Sequence, residues 1–296
     1  MILLRWISGW PLWLLHGLGG GLGWLVWALS PTYRRRLRAN ARLAGVDARA
    51  RRRAVAAAGR MALETPWLWL RATDADLERL VHWRNPQELE AAIAERRPLV
   101  ILTPHMGSFE VCARAYTARW GTRQPVTVLY RPSRNRRLRE FQERSRERPT
   151  MPTAPANLAG VRQMLRALRR HESVGLLPDQ VPPEGQGVWA PFFGLPAYTM
   201  TLGFRLIQQA RAECIVLRCE RLPRGRGWTI HASRLLRPLP AGNAPEEQEE
   251  AATIINETME QVILQDPGQY LWGYHRYKQP RAQSTEAAAS ASEDGA

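Results

Sequence analysis

Four consecutive apolar residues, Leu99-Val100-Ile101-Leu102, stop abruptly at Thr103-Pro104. A run this short, apolar on both alternating faces, reads as a strand covered on both sides rather than as a helix. Val126–Tyr130, Val174–Leu177, Cys214–Cys219 and Trp228–Leu236 repeat the pattern. Between and around them lie segments of helical character: Gln87–Arg97, Phe109–Arg119, Arg134–Arg148, Leu158–Arg170, Thr199–Ala210 and Glu246–Leu264. Short buried strands alternating with helices leave few architectures open. The expectation is an α/β fold, a central mixed sheet flanked by helices, over residues 86–280. With 296 residues the chain can bury a substantial core, as one large domain or as one plus a small helical appendage.

The N-terminus is of a different kind. From Trp6 to Ser30 there is no Lys, Arg, Asp or Glu, a stretch about long enough to cross a bilayer core. Pro11, His16 and several glycines weaken it as a helix. Arg34, Arg35, Arg36, Arg38 and Arg42 follow directly, which keeps the rest of the chain on the cytoplasmic side. A cleaved signal peptide fits less well: a cut after Ala28-Leu29-Ser30 would leave Pro31 first, and only Arg5 forms the n-region. Residues 1–30 are therefore expected to be an uncleaved membrane anchor, spanning the bilayer or lying in its interface, where tryptophan is at home. Gly17/Gly21 and Gly19/Gly23 form two overlapping GxxxG spacings, which permit close helix packing or serve only flexibility. No strand precedes these glycines and no Lys-Ser/Thr follows, so they are not a phosphate loop. Residues 31–85 read as a basic, amphipathic, membrane-proximal region. They include Trp67-Leu68-Trp69-Leu70, either a buried helix or a lipid contact. Residues 281–296 are small, polar and acidic, the composition of a disordered tail.

Charge narrows the partners. The chain has 42 basic against 27 acidic residues, net +15, and Lys278 is its only lysine. Such an excess suits lipid headgroups, nucleic acid or an acidic protein. Arg134–Arg148 interleaves arginines with acids, as a solvated helix does, and no nucleic-acid-binding motif is present, so no nucleic-acid partner is expected. Cys112, Cys214 and Cys219 form no CxxC pair and have no histidine cluster nearby, so they read as reduced thiols rather than metal ligands. No cofactor motif is found.

The chemistry gathers at strand ends. His105 follows the Leu99–Leu102 strand, and Glu110 comes five residues later. On one continuous helix the two would point about 140° apart. They can meet if His105 lies in the loop, bent by Pro104 and Gly107, while Glu110 sits in the first helical turn. A carboxylate on one imidazole nitrogen would fix the tautomer and leave the other as a base. A loop histidine beside an unrelated surface glutamate explains an isolated H-x4-E as well. Three more stretches lie near it in the expected fold. Tyr130-Arg131-Pro132 follows a second strand and Pro178-Asp179-Gln180 a third, while Pro191–Thr199 reads as an apolar loop feeding a helix. That edge of an α/β sheet is where ligands usually bind.

Taken together, the anchor, the Gly59-to-Trp69 segment, His105–Glu110, Tyr130-Arg131-Pro132, Pro178-Asp179-Gln180, Phe192-Phe193-Gly194 and the closing Gln269–Lys278 box resemble the late acyltransferases of lipid A biosynthesis, the lauroyl/myristoyl transferase family. The resemblance covers residues 1 to 280. It implies a glycerolipid-acyltransferase-like fold and transfer of a fatty acyl chain from acyl-acyl-carrier protein to a hydroxyl of an anionic lipid A precursor, without a cofactor. It also implies a site at the bacterial inner membrane, on the cytoplasmic side. His105 would be the general base, Glu110 its partner, Arg131 a group near the reacting carbonyl and Asp179 a further site residue. The H-x4-D/E motif alone is shared with glycerolipid acyltransferases, the nearest alternative, against which the Trp272–Lys278 box argues. One departure is visible: the family often continues the Asp-Gln pair into another acid and an aromatic, whereas Val181-Pro182-Pro183 follows here.

Overall fold

The computed structural model describes residues 2–131, 145–146 and 148–281. Most of the expected Arg134–Arg148 helix and nearly all of the expected tail lie outside the described residues.

Strand β1 (Val81–Arg84), β2 (Leu99–Leu102), β3 (Val126–Tyr130), β4 (Thr153–Pro155), β5 (Ser173–Leu176), β8 (Glu213–Arg221) and β9 (Trp228–Ser233) form one sheet in the order β1-β9-β8-β2-β5-β3-β4. Five of them run parallel, while β9 pairs antiparallel with β8 and parallel with β1, so the sheet is mixed. β2 sits between β8 and β5, which explains its four consecutive apolar residues. Leu99 and Ile101 enter the core on one face, with Val111 and Tyr116 of α7 (Phe109–Trp120). Val100 and Leu102 enter the other, with Met164 of α8 (Leu158–Arg169) and Phe204 of α9 (Leu202–Ala210).

Within the described residues the expected strands and helices recur with shifts of a few residues at their ends, with one larger correction. The Pro191–Thr199 stretch is not a loop but part of a hairpin, β6 (Gly187–Phe192) with β7 (Leu195–Met200). Its two-residue turn, Phe193-Gly194, has φ values of 47° and 78°, the left-handed pair that a tight hairpin requires. In a two-stranded ribbon both strands are edges, so Pro191 and Pro196 can lack their N–H donors without breaking a ladder. The hairpin takes the start of the expected Thr199–Ala210 helix, and α9 begins at Leu202 instead. β1 joins the sheet at residues 81–84, inside the stretch expected to be purely membrane-proximal.

At the N-terminus Pro11 separates α1 (Ile2–Ile7) from α2 (Leu12–Leu29). α2 is long and apolar enough to cross a membrane by length and composition. It packs antiparallel along α4 (Ala48–Leu70), as the pairing of His16 with Glu64 and of Gly23 with Val55 requires. Of the two GxxxG spacings, Gly19/Gly23 makes the contact. A Cβ at Gly23 would lie 2.1 Å from the Val55 carbonyl oxygen, whereas Gly17 and Gly21 face open space. α3 (Pro31–Leu43) starts on a Ser30 cap and buries Leu37 and Ala41 against the sheet core. α5 (Asp74–Leu80) packs on β1, α6 (Gln87–Ala94) on β8 and β9, and α10 (Pro245–Gln265) covers the hairpin.

Candidate active site

His105 lies in the loop at the carboxyl end of β2, three residues past Leu102. Its neighbour β5 runs parallel to β2, so the chain leaving β5 carries Asp179 to the same edge. The Asp179 carboxylate accepts from His105 Nδ1 at 2.6 Å and from the His105 backbone N–H at 2.9 Å. Asp179 is almost wholly buried. Burial opposes its charge, but the His105 ring, the His105 hydrogen bonds and the Tyr270 hydroxyl outweigh that and hold its pKa below the usual carboxylate range. An ionised carboxylate can only accept, so Nδ1 bears a proton, and in the neutral ring the lone pair is on Nε2. The Gln180 side-chain amide reaches Nε2 at 3.0 Å, with its NH2 as donor.

The carboxylate on the imidazole is thus Asp179, where the H-x4-E spacing suggested Glu110. Glu110 does sit in the first turn of α7, as expected. There it forms an ion pair with Arg146 and accepts from Trp69 Nε1 at 3.3 Å, while the Arg146 guanidinium lies 4.5 Å from the Trp69 ring centre. Two groups unused by the sequence reading, Arg146 and Trp69, therefore surround the second acid. Trp69 is the tryptophan at the end of α4, and its role was visible only as an apolar tract.

His105, Glu110, Arg146 and the exposed Arg131 line one cavity of about 270 Å³. Its remaining walls are mainly apolar, with Ile101, Val128, Met151 and Leu217 among them, and it runs between α7 and the sheet. Arg146 Nε is buried and has no hydrogen-bond partner among the described residues. The cavity joins an imidazole, a paired carboxylate and two arginines to an apolar wall.

The loop is built tightly rather than flexibly. Gly107 has φ +58°, and a Cβ there would lie 1.7 Å from the Cys219 carbonyl oxygen, so only glycine fits. Ser108 is buried; its hydroxyl donates to Glu64 Oε1 and accepts from Trp228 Nε1 at 2.6 Å. That hydroxyl is committed to structure and is not placed as a nucleophile. Glu64 in turn pairs with Arg221, which donates to the Gly107 carbonyl at 2.8 Å, and with His16 of α2 at 2.9 Å. Burial opposes the Glu64 charge, yet Arg221 and His16 pull its pKa down to about 2.

The closing box clasps the same loops. Gly107 N–H donates to the Gln269 carbonyl at 2.9 Å, Leu271 N–H to the His105 carbonyl at 3.1 Å, and Val181 N–H to the Tyr274 hydroxyl at 3.0 Å. Buried Arg276 binds the Tyr198 carbonyl and Thr199 Oγ1, fastening the box to the hairpin.

The family described as bacterial lipid A biosynthesis acyltransferase matches residues 1–279. The chain belongs to this family. Among its curated relatives, the Escherichia coli lipid A biosynthesis palmitoleoyltransferase is 25% identical over 213 residues, 72% of this chain and 65% of that protein. The chain thus aligns with just under two thirds of that relative's length. The E. coli lipid A biosynthesis lauroyltransferase is 23% identical over 221 residues, 74% of this chain and 68% of the relative. A Haemophilus influenzae lipid A biosynthesis acyltransferase is 26% identical over 278 residues, 90% and 84% of the two chains. In this lipid A acyltransferase family member the His105 loop, the Asp179 loop and the closing box converge at one edge of the sheet.

Proposed function

We propose that this protein transfers a fatty acyl group from acyl-acyl-carrier protein to a hydroxyl of a lipid A precursor, with His105 as general base. The observation that supports this best is the His105–Asp179 pair, with His105 lining a largely apolar cavity. In this reading Nε2 removes the proton of the acceptor hydroxyl as its oxygen attacks the thioester carbonyl carbon. Asp179 holds the tautomer and stabilises the imidazolium that forms. Arg131 and Arg146 stabilise the oxyanion, and the C–S bond then breaks, the thiolate leaving with the proton from His105. The acyl chain occupies the apolar walls. Gln180 occupies the base nitrogen until the acceptor hydroxyl takes its place. Transfer is direct, because Ser108 is committed to structure and no acyl-enzyme is needed.

The site works at the cytoplasmic face of the inner membrane, with α2 lying in the interface rather than crossing it. Arg60 packs against Gly19 and Gly20, near the middle of α2, and donates to the His16 carbonyl at 3.2 Å. The turn at Gly225 packs against Trp13. A spanning α2 would draw that arginine toward bilayer depth, where it is costly. The face turned away from α4 exposes Trp13, Trp24, Leu25 and Leu29, which suits lipid contact.

Purified protein given acyl-acyl-carrier protein and lipid A precursor should add one acyl chain, seen by mass spectrometry. General-base catalysis contributes about 10²–10⁴-fold. His105→Ala should lose at least that range and remain in the membrane fraction. Transfer by His105→Ala at the wild-type rate would refute the base assignment, and no transfer by wild type would refute the reaction.

A further inference from the structure

A second cavity, of about 340 Å³, lies behind the catalytic loop, between α2, α4 and the turn at Pro223–Gly225. Arg53, Arg60, Arg221 and Arg224 line it, with His16 and Trp13, and no carboxylate does. Two of these charges are compensated from outside the cavity. Arg221 pairs with Glu64, and Arg53 with Asp266 at 2.9 Å. Arg60 and Arg224 have no carboxylate within ion-pair distance among the described residues. Burial lowers the Arg60 pKa, and repulsion from Arg221 and Arg53 adds to it, although Glu64 works the other way. A folded protein that gathers arginines around a cavity, against their mutual repulsion, creates a site of positive potential.

The cavity also has an apolar approach. Trp13, one of its walls, is 62% exposed, and Trp6 of α1 is exposed as well. A ligand that fits both features has an anionic head and an apolar tail. Arginine forks match phosphate oxygens bidentately, and Trp13 suits the level where headgroup meets chain.

We infer that this cavity, distinct from the one containing His105, binds the phosphate of a lipid headgroup through Arg60 and Arg224. The phosphate can come from a phosphodiester, as in a bilayer phospholipid, or from a phosphomonoester, as in a phosphorylated glycolipid. Either occupant would seat the interfacial helix pair against the bilayer, so the inference rests on the interfacial placement of α2 and not on the acyl-transfer chemistry.

Calorimetric titration without any acyl donor tests it. The probes are dihexanoyl-phosphatidic acid (monoester), dihexanoyl-phosphatidylglycerol (diester) and inorganic phosphate, all added as monomers to full-length protein in neutral detergent. At least one lipid probe should bind more tightly than inorganic phosphate, and the stronger of the two identifies the source. Arg60→Gln/Arg224→Gln should weaken that binding at least about tenfold, the scale of one lost charge-assisted contact. The charge-matched control Arg166→Gln/Arg169→Gln, on the exposed face of α8, should change it less than about twofold. If the first double variant melts early, Arg224→Gln alone, at an exposed turn, replaces it. Wild-type affinity in the cavity variant, equal losses in both double variants, or inorganic phosphate binding as tightly as the lipids would each overturn the inference.

Discussion

Asp179 accepts two hydrogen bonds from the same residue, His105, one from the ring at Nδ1 and one from the backbone N–H. A single carboxylate therefore orients the imidazole and pins the loop that holds it. Asp179→Asn keeps the shape but replaces an acceptor-only group with an amide. Its NH2 can donate to Nδ1, which places the imidazole proton on Nε2 and removes the base. Turnover of acyl transfer should fall by roughly 10²–10⁴-fold, with KM for the acceptor little changed. Equal loss in KM and turnover would point to a loop defect instead.

Glu110 is paired with Arg146 and Trp69, not with His105, so its substitution should be read through those partners. Glu110→Gln and Arg146→Gln should each impair transfer, and the double variant should be little worse than the more damaging single one. A double-mutant cycle on kcat/KM should show a coupling of about 1 kcal/mol or more, typical of groups in one network. The same cycle between Glu110 and Asp179 should be closer to additive. Additive behaviour of Glu110 with Arg146 would show that the ion pair does not act as a unit.

The difference between Glu110 and Asp179 also shows what the sequence made legible. β2 and α7 were readable because four apolar residues in a row, then a Pro-Gly bend, then helical periodicity are local signals. The acid on His105 was not, because Asp179 lies 74 positions away and arrives only through the parallel pairing of β2 with β5. Nothing local fixes which strands become neighbours, so the nearest acid in sequence looked like the partner. The Glu64–Arg221 pair, 157 positions apart, was invisible for the same reason. β1, Val-His-Trp-Arg, alternates apolar and polar residues, but over only four positions, too few to stand out. The hairpin was hidden by Pro191 and Pro196, which punctuate loops far more often than they pair across a ribbon. The closing box was legible only as a resemblance; its backbone bonds to the His105 and Asp179 loops give it a physical reason.

The glycines of α2 separate two roles that the sequence presents as one motif. Gly19 and Gly23 meet Gly59, Arg60 and Val55 on α4, and a Cβ at Gly23 has no room beside the Val55 carbonyl oxygen. Gly21, two residues away, faces open space. Gly21→Ala should therefore be neutral or slightly stabilising, by up to about 1 kcal/mol from helix propensity. Gly23→Ala must separate two helices against backbone. It should lower the thermal midpoint by several degrees, as expected for a loss of about 1–3 kcal/mol by overpacking. Both variants should stay with the membrane, since the exposed apolar face is unchanged. If Gly21→Ala proved the more damaging, the packing face of α2 would be the opposite one.

Glu64 ties α2, α4, β8 and the His105 loop together, so its ionisation should be felt as stability. Its folded pKa of about 2 lies below the ordinary value of 4.5 that the unfolded chain is expected to have. A depressed acid contributes stability that is fully present above the unfolded value and is lost as pH falls through the folded one. The window is therefore between pH 4.5 and 2, and the linked loss is about 3 kcal/mol for a shift of this size. Glu64→Gln keeps the volume but leaves Arg221 buried without its counter-charge, so it should cost about 3–5 kcal/mol at neutral pH. In return the variant's stability should vary less across that acid window than that of wild type. Denaturant unfolding at a series of pH values, followed by tryptophan fluorescence, measures both slopes. Parallel slopes for the two proteins would show that the acid sensitivity arises elsewhere, with Asp179 on His105 the next group to substitute.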